Sequence, residues 1–359
     1  MKIAIVLGTR PEIIKMASLI RECEKQNIDY FVIHTNQHYS KEMDSVIFDD
    51  LRLKQPKYNL EVGSGIHGLQ TGKMLERIEE AYHNEKPDVT LVQGDTNTTL
   101  SGALAAIKMG IQVGHVEGGL RSFDRSMPEE INRVLIDHIA HACFAPTKEA
   151  EGNLLKEGIP QERIHVVGNT VVDALYEHIE FAKDKEEIFE KLEIEKGKYV
   201  LVTWHRAENT KDRATAKEFI QAFDKISTTL DMPVLLPLHP RTEKVLAEWE
   251  IELPSTIKKT KPLGYLEFLL AINESHLILT DSGGIQEEAC ILKKPCVTLR
   301  NNTERPETIE VGGNILGGTS ANSIVAATQE MLGKQIEWSN PFGDGQSAKR
   351  ILDICLRTL

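Results

Sequence analysis

Two carboxylates have positions suited to acid–base chemistry, because each follows a predicted strand directly. Asp95 lies in Gln93-Gly-Asp-Thr-Asn-Thr98, and Glu117 lies in His115-Val-Glu-Gly-Gly-Leu-Arg121. The carboxyl ends of neighbouring parallel strands meet at one edge of a sheet, so we expect both side chains at the same rim. Two carboxylates aimed into one crevice are what acid–base chemistry requires. The alternative is structural: Asp95 caps the following helix, and Glu117 pairs with Arg121.

A glycine-rich turn in the second half of the chain is typical of a diphosphate site. The apolar run Leu277–Thr280 leads into Asp281-Ser-Gly-Gly284 and then into a helix-forming segment. Glycines let backbone N–H groups close on an anion, and the helix N-terminus adds positive potential. Glu288 lies about one turn further on, where a carboxylate could accept hydrogen bonds from ribose hydroxyls. The pattern indicates nucleotide-sugar binding, and the alternative is an ordinary strand-turn-helix with a serine cap.

Arg10 lies at the start of the first predicted helix, where its positive charge interacts unfavourably with the helix dipole. In Gly8-Thr-Arg-Pro-Glu12, Thr9 and Glu12 form a capping box, but this does not account for Arg10. A bound anion accounts for Arg10 better than solvation does, and Lys15, one turn on, could join it. The loop has no G-x-G-x-x-G pattern, so the sequence does not support a dinucleotide cofactor.

Further basic side chains follow the predicted strands of the second half. His205 and Arg206 leave the strand Tyr199–Thr203, and this pair at a strand terminus suits a phosphate. His239 ends the next strand and has a similar character. Arg305 stands before a helix start, close to the glycine-rich turn. For the histidines, the alternative is plain exposure in a loop.

The segment Ser126-Met-Pro-Glu-Glu-Ile-Asn-Arg133 opens another helix. Ser126 with Glu129 predicts a capping box, and Glu129 with Arg133 predicts a helical ion pair. On sequence grounds alone, these structural roles are enough to explain Glu129.

Strands and helices alternate along the chain, which predicts parallel, doubly wound sheets. The predicted strands are 2–7, 30–35, 89–93, 112–116, 199–203, 234–237, 277–280 and 296–299. The predicted helices are 12–26, 41–51, 71–84, 98–109, 177–195, 215–230, one from the glycine-rich turn to 292, and one near the C-terminus. We therefore expect an α/β fold with two Rossmann-like domains that face each other across a cleft. The predicted domains are residues 1–168, with the helix 346–359 packing back on them, and residues 169–345.

Composition narrows the class of protein. The 359 residues, 41% hydrophobic and 27% charged, are typical of a folded soluble chain with more than one core. The net charge of −12 argues against broad binding to nucleic acid or anionic membranes. The five cysteines lack C-x-x-C spacing, which predicts reduced thiols in a cytoplasmic protein and no metal site. No D-x-D triplet is present to bind a divalent metal.

Taken together, these motifs resemble the non-hydrolysing UDP-N-acetylglucosamine 2-epimerases over nearly the whole chain. The motifs that carry the resemblance are Gly8-Thr-Arg-Pro-Glu12, Gln93-Gly-Asp-Thr96, His115-Val-Glu117, Pro128-Glu-Glu-Ile-Asn-Arg133, Thr280-Asp-Ser-Gly-Gly-Ile-Gln-Glu-Glu288 and Thr303-Glu-Arg-Pro-Glu307. Each motif is modest alone, but the ordered set is specific. The resemblance implies a fold like that of GT-B glycosyltransferases, with the ligand between two Rossmann-like domains.

The resemblance also implies a role for each matching residue. The acid–base carboxylates would be Asp95, Glu117 and Glu129, and His205 would act at the departing phosphates. The substrate-binding residues would be Arg10, Lys15, Arg133, Phe268 near the uracil, Ser282, Gly283 and Gly284 at the diphosphate, Glu288 at the ribose, and Arg305. Bacterial members bind a second substrate molecule allosterically, and the matching positions are Gln37, His38, Gln70, Arg206 and His239. Leu69 and Ala207 depart from those members, which counts against allosteric activation.

The implied activity is reversible, cofactor-independent C2 epimerisation of UDP-N-acetylglucosamine to UDP-N-acetylmannosamine for polysaccharide synthesis. UDP would leave across C1–C2 to give 2-acetamidoglucal, because the C2 hydrogen has no adjacent carbonyl to ease its direct removal. UDP would then add back after reprotonation on the other face. The resemblance also implies a homodimer.

Other activities stay open at this point. The segments 63–72 and 121–124 resemble a branch of the family that epimerises UDP-2,3-diacetamido-2,3-dideoxyglucuronic acid. A GT-B glycosyltransferase would share the nucleotide site, but it would need an acceptor pocket rather than three carboxylates at the rim. A hydrolysing epimerase would release free sugar, and a non-catalytic sensor could do without the carboxylates.

Overall fold

The computed structural model describes residues 1–37 and 41–359, and of residues 41–44 it describes the backbone alone. His38, one of the predicted allosteric positions, lies outside the described residues. The chain forms two compact units, Met1–Glu177 with Phe342–Leu359, and His178–Pro341. The domain limits predicted at 168 and 345 stay a prediction. No helix in the described ranges combines the length and apolar character needed to span a bilayer.

The first unit contains a parallel sheet of seven strands. The strands are β1 (Lys2–Leu7), β2 (Asp29–His34), β3 (Tyr58–Asn59), β4 (Val89–Gln93), β5 (Gln112–Val116), β6 (Ala142–Ala145) and β7 (Ile164–Val166). The helices are α1 (Arg10–Lys25), α2 (Lys41–Asp50), α3 (His67–Glu85), α4 (Asn97–Lys108), α5 (Pro128–Ile139), α6 (Lys148–Lys156) and α7 (Thr170–Ala182), which begins in this unit. The sheet order is β3-β2-β1-β4-β5-β6-β7. The order reverses between β1 and β4, where ligands of such sheets bind.

The second unit repeats this plan with six strands. Its elements are α8 (Glu187–Lys191), β8 (Val200–Thr203), α9 (Arg213–Leu230), β9 (Val234–Pro237), α10 (Pro240–Glu248), β10 (Ile257–Thr260), α11 (Tyr265–Asn273), β11 (Leu277–Thr280), α12 (Gly283–Ile291), β12 (Cys296–Thr298), α13 (Pro306–Glu310), β13 (Asn314–Leu316) and α14 (Ala321–Leu332). The order β10-β9-β8-β11-β12-β13 reverses between β8 and β11. The chain ends in α15 (Ser347–Thr358), which belongs to the first unit.

The predicted α/β class with two parallel sheets is confirmed, and several boundaries are wrong. Strands 2–7, 89–93, 112–116, 234–237 and 277–280 match the structure. The helix predicted at 71–84 begins four residues earlier, at His67. The single helix predicted at 177–195 is wrong, because α7 ends at Ala182 and α8 covers only Glu187–Lys191.

The strands form the core of each unit. Residues 3–7 of β1 and all residues of β4 are buried, since a parallel sheet is covered on both faces. All five cysteines are free and buried. Burial raises the pKa of the Cys23 and Cys355 thiols to about 12, which leaves these thiols protonated and unreactive. The cytoplasmic location stays a prediction.

The turn after β1 depends on a close approach at Gly8. A Cβ atom there would lie 2.1 Å from Thr35 Oγ1 and 2.2 Å from Thr98 Oγ1. These two hydroxyls are themselves hydrogen-bonded at 2.7 Å. A side chain at Gly8 would therefore displace the turn that carries Arg10.

Replacing Gly8 with alanine should lower the free energy of unfolding by roughly 1–3 kcal/mol, as overpacking of a filled site does. Gly72→Ala is the matched control, because Gly72 is exposed on α3 and its Cβ would meet nothing within 4 Å. That variant should be neutral or gain up to about 1 kcal/mol from helix propensity. Urea denaturation followed by circular dichroism measures both. Equal effects of the two substitutions would contradict this account of the turn.

Candidate active site

Glu117 lies at the carboxyl end of β5 and is held from three sides. Its carboxylate accepts hydrogen bonds from Lys15 Nζ at 2.6 Å, from Asn169 Nδ2 at 3.3 Å and from the Gln93 amide. Its φ of +70° is in the left-handed region, which only a well-supported non-glycine residue adopts. The predicted Glu117–Arg121 pair is wrong. Lys15, predicted to join an anion site, lies against this carboxylate.

Asp95 lies at the end of the neighbouring strand, β4, and forms an ion pair with Arg133 of α5. Asn132 Nδ2 also donates to the Asp95 carbonyl oxygen at 2.9 Å. The alternative in which Asp95 caps α4 is wrong, because Thr96 is the N-cap and its hydroxyl accepts from Thr99 N at 3.2 Å. The ion pair and the hydrogen bond connect the end of β4 to α5. They orient Asp95 toward α5, and Asp95 does not cap α4.

The start of α5 differs from the sequence prediction. Met127 occupies the N-cap, so the predicted capping box of Ser126 and Glu129 is wrong. Arg133 Nη1 pairs with Glu130 at 2.8 Å, in place of the predicted pair with Glu129. Glu130 in turn accepts backbone N–H groups from the preceding loop, at Ser122 and Phe123. The neighbouring Glu129 therefore has neither of the structural roles that the sequence suggested for it.

Glu129 instead lines a cavity of about 320 Å³ in the first unit, together with Asp95. The full lining is Gln37, Ser64, Gly65, His67, Gln70, Asp95, Thr96, Asn97, Pro128, Glu129 and Asn132. The cavity thus joins two predicted catalytic carboxylates with two predicted allosteric positions, Gln37 and Gln70. His67 was missed by the sequence analysis, because a lone histidine after glycines carries no pattern.

Buried amides make the wall of this cavity rigid. Gln70 Nε2 donates to the carbonyl oxygens of Gly63 at 2.8 Å and Gln37 at 3.2 Å. Asn97 Nδ2 donates to Gln70 Oε1 at 2.9 Å. Gln37 Oε1 accepts from the Thr98 hydroxyl at 2.8 Å. In this structure, Gln37 and Gln70 therefore connect the loops around the cavity.

Glu12 joins the turns after β1 and β4, and Arg10 stands beside it at the start of α1. The buried Glu12 carboxylate accepts from Gly8 N at 2.7 Å, Thr9 N at 2.9 Å and Thr96 Oγ1 at 2.6 Å. The pKa of Glu12 is raised overall, because the effect of burial exceeds the opposing effect of these hydrogen bonds. The predicted capping box of Thr9 and Glu12 is confirmed. The half-buried Arg10 side chain is thus carried on a fixed turn.

In the second unit, the buried Asp281 organises the loop after β8. Its carboxylate accepts from His205 N at 3.0 Å, Arg206 N at 2.9 Å and Asn209 Nδ2 at 3.1 Å. His205 Nδ1 lies 2.8 Å from the same carboxylate. Burial alone would raise the pKa of Asp281, but these hydrogen bonds hold it below its ordinary value. The sequence analysis had treated Asp281 only as part of the glycine-rich turn.

The glycine-rich turn leads directly into α12, and Ser282 stands at its N-terminus. Ser282 is the N-cap residue but makes no side-chain capping bond, so the serine-cap alternative is wrong. The first N–H groups of a helix have no intrahelical partner, and Gly283 and Gly284 supply two of them. The half-buried Glu288 follows in the second turn.

Two arginines lie close to this turn. Arg206 Nε donates to the Asp281 carbonyl oxygen at 2.8 Å, and Arg305 Nε lies 2.9 Å from Glu287 of α12. The rings of His205 and His239 are 5.9 Å apart. Phe268 is half-buried on α11. His205, Arg206 and Arg305 therefore lie around the ends of β8 and β11, with His239 beside His205.

The predicted site residues form two sets, and each set lies within one unit. The first unit carries Arg10, Lys15, Gln37, Gln70, Asp95, Glu117, Glu129 and Arg133. The second unit carries His205, Arg206, His239, Phe268, Ser282, Gly283, Gly284, Glu288 and Arg305. Among the described residues, no group of three or more His, Cys, Asp and Glu is placed to hold a metal ion.

Comparison with known proteins identifies the family. A family model described as UDP-N-acetylglucosamine 2-epimerase matches residues 21–356. A UDP-N-acetylglucosamine 2-epimerase of Methanocaldococcus jannaschii is 54% identical over 99% of this chain and 98% of that protein. The chain belongs to the UDP-N-acetylglucosamine 2-epimerase family. The family inferred from the sequence motifs is confirmed.

A solved structure and one further relative bear on the chemistry of the family. A crystal structure of the M. jannaschii UDP-GlcNAc 2-epimerase in complex with UDP-GlcNAc and UDP is 52% identical, with a TM-score of 0.83 over 99% of both chains. A UDP-2,3-diacetamido-2,3-dideoxy-D-glucuronate 2-epimerase of Pseudomonas aeruginosa is 39% identical over 98% of this chain and 99% of that protein.

Replacing Asp281 with asparagine should destabilise this epimerase by about 1–3 kcal/mol, because an amide N–H₂ would face buried donors that now meet a carboxylate. Asp212→Asn is the matched control: Asp212 caps α9 in the same unit, and asparagine caps a helix as well as aspartate does. Urea denaturation of both variants checks the difference. Equal stability of the two variants would show that Asp281 does not hold the 205–209 loop.

Proposed function

We propose that this protein catalyses the reversible, cofactor-independent C2 epimerisation of UDP-N-acetylglucosamine to UDP-N-acetylmannosamine. The observation that carries the proposal is the pair of carboxylates at adjacent strand ends, each held by a cation. Glu117 lies against Lys15 at 2.6 Å, and Asp95 pairs with Arg133. Family membership supplies the reaction class, and the carboxylates supply the groups that this reaction needs.

The reaction runs by elimination and re-addition of UDP. A carboxylate takes the C2 proton, the C–H electron pair forms the C1=C2 double bond of 2-acetamidoglucal, and the C1–O pair leaves with UDP. The other carboxyl group, which begins this step protonated, then delivers its proton to the opposite face of C2, and a UDP oxygen attacks C1. Proton exchange with water returns both groups to their starting states. Asp95 and Glu117 share the two proton transfers, and Glu129, which lines the same cavity as Asp95, assists them.

Cations and backbone N–H groups must stabilise the departing diphosphate. In this chain the N-terminus of α12, with Ser282, Gly283 and Gly284, takes the diphosphate. Arg10, His205 and Arg305 contact the phosphates as charge develops on them. Glu288 holds the ribose and Phe268 lies near the uracil. Asp281 fixes the backbone of His205, so that this side chain meets the leaving group in one orientation.

The choice of sugar rests on the relatives. The M. jannaschii relative, at 54% identity, is a UDP-N-acetylglucosamine 2-epimerase, and its structure holds UDP-GlcNAc and UDP. The P. aeruginosa relative, which acts on the diacetamido-uronic acid nucleotide, is less similar at 39%. That sugar is the second candidate, favoured by the segments 63–72 and 121–124. The carboxylates at the strand ends count against a glycosyltransferase.

Proton NMR in heavy water tests the reaction and the substrate together. With UDP-N-acetylglucosamine and no added cofactor or metal, we expect UDP-N-acetylmannosamine to form with deuterium at C2. No change with this sugar, but turnover of the diacetamido-uronic acid nucleotide, would transfer the proposal to the second candidate. Release of UDP with free sugar would identify a hydrolase instead.

Carboxylate variants provide the internal control of that experiment. Asp95→Asn and Glu117→Gln should each lower kcat by about 10²–10⁴-fold while calorimetry finds UDP affinity unchanged. Glu149→Gln, at an exposed glutamate of α6 in the same unit, should leave kcat unchanged. Loss of UDP binding in a folded Asp95 or Glu117 variant would contradict the acid–base roles.

The protein acts as a homodimer, and an apolar stripe on α5 supports this part of the proposal. Met127, Ile131 and Leu135 are spaced by four residues on one face and are 36%, 41% and 47% exposed. Phe123, in the loop before α5, is 71% exposed. Exposed apolar surface of this kind is typical of protein contacts. A second copy of this chain would bury it.

Replacing Leu135 with glutamate should convert the dimer into a monomer, because a charge would be buried at the contact. Leu155→Glu is the matched control, since Leu155 is 44% exposed on α6 of the same unit. Size-exclusion chromatography with light scattering measures the mass of both. If the Leu135→Glu variant keeps the mass of a dimer, the contact between the two copies lies elsewhere.

A further inference from the structure

A fully buried histidine lies two residues before Glu117. Both ring nitrogens of His115 face oxygen atoms: Nδ1 is 2.6 Å from Asp137 Oδ1, and Nε2 is 2.8 Å from the Gly94 carbonyl oxygen. A neutral imidazole has one N–H and one lone pair, so it would set a lone pair against one of these oxygens. The doubly protonated ring donates to both. The proposed reaction does not use His115 directly, because the side chain cannot reach a substrate from its buried position.

The surroundings of His115 balance its charge. Asp137 of α5 is fully buried and also accepts from Arg121 Nη2 at 2.7 Å and from Gly119 N at 3.1 Å. Arg121 pairs in turn with Glu157, the residue that follows α6, at 2.6 Å. Two cations and two carboxylates therefore form one chain of ion pairs. Two further groups lie beside them: Cys143 of β6, whose thiol pKa is raised by burial, and Arg163, whose Nη2 donates to the Asp137 carbonyl oxygen at 3.3 Å.

The protonation of this group follows from its contacts. Burial lowers the pKa of His115, but the Asp137 charge and the two hydrogen bonds outweigh it, so the net pKa is raised. The Asp137 pKa is lowered by His115 and Arg121 despite burial. The shifts have the directions expected of a buried imidazolium–carboxylate pair.

This ion pair connects the segments that carry the proposed catalytic groups. The Gly94 carbonyl belongs to the turn that presents Asp95, and Gly94 has a φ of +78°. His115 itself continues through Val116 to Glu117. Asp137 lies one turn after Arg133 on α5, and Arg133 is the partner of Asp95. Gly94 adopts its positive φ without strain, whereas Glu117, in the left-handed region as a non-glycine residue, needs support from its neighbours.

We propose that His115 is a positioning residue: its protonated ring, anchored by Asp137, holds the Gly94–Asp95 turn against β5 and so sets the spacing of Asp95 and Glu117. The inference rests on the proposed function, because the spacing matters through the two proton transfers. Misplacement of an acid–base group by a fraction of an ångström lowers kcat while binding of the remote nucleotide is kept.

Two neutral substitutions separate the two contacts of the ring. The amide nitrogen of asparagine occupies the place of Nδ1 and that of glutamine the place of Nε2, counted in bonds from Cβ. His115→Asn therefore keeps a donor toward Asp137 and loses the one to Gly94. His115→Gln keeps the donor to Gly94 and loses the one to Asp137. Both remove the charge, so each serves as the control for the other.

We expect kcat of His115→Asn to fall at least about tenfold below that of His115→Gln, with KM and the Kd for UDP changed less than about twofold in both. Thermal unfolding of the two variants should be similar. A purely structural role would lower activity in proportion to stability and would not separate kcat from KM. Equal kcat in the two variants, or a loss that follows the unfolding temperature, would overturn the proposal.

The protonation state is measured without turnover. Nitrogen-15 NMR of histidine-labelled wild-type protein, with the His115 signals assigned by their absence in His115→Asn, should find a proton on both ring nitrogens at neutral pH. A neutral ring with one bare nitrogen would overturn the proposal. This measurement and the UDP affinities stand whichever sugar is the substrate, so their failure is distinguishable from failure of the proposed function.

Discussion

Buried carboxylates that collect donors from several loops hold the functional ends of both sheets. Glu12 joins the turns after β1 and β4, Asp137 joins the loop after β5 to α5, and Asp281 holds the loop after β8. Removing a carboxylate from water is costly unless hydrogen bonds replace the lost hydration. Each of these three receives at least three donors, among them backbone N–H groups that would otherwise be unsatisfied. The same bonds that stabilise the charge therefore give the loops one conformation.

Basic side chains lie at specific places in a chain whose net charge is negative. The chain has a net charge of −12, yet Arg206 and Arg305 lie near the start of α12, and Lys15 and Arg133 lie against the carboxylates of the first unit. Pairs at 2.6–2.9 Å act over a shorter range than the screening length in physiological salt, which is about 8 Å. An anionic nucleotide can therefore be bound by a local arrangement that the overall charge does not predict.

Sequence patterns predicted the secondary-structure elements, which depend on neighbouring residues. They failed to predict contacts between segments that are far apart in the chain. Five strands matched residue for residue because buried parallel strands are continuous apolar runs bounded by turns. Short strands such as β3 and β13, with two and three residues, have too little sequence to form a pattern. The partners of Glu117 were missed because Lys15 is 102 residues away, and only the strand order brings them together. Of the neighbours Glu129 and Glu130, the second has the structural role, because the loop before α5 directs its N–H groups toward Glu130.

The two units divide the work of the proposed elimination in a way that follows from its chemistry. Breaking the C1–O bond needs cations and N–H dipoles for the diphosphate, whereas breaking the C2–H bond needs a carboxylate. The two requirements call for different side chains. The first unit carries the carboxylates Asp95 and Glu117, and the second carries the glycine-rich turn and Arg305. Since both units have the same reversed strand order, one architecture supplies both halves of the chemistry through different residues at its strand ends.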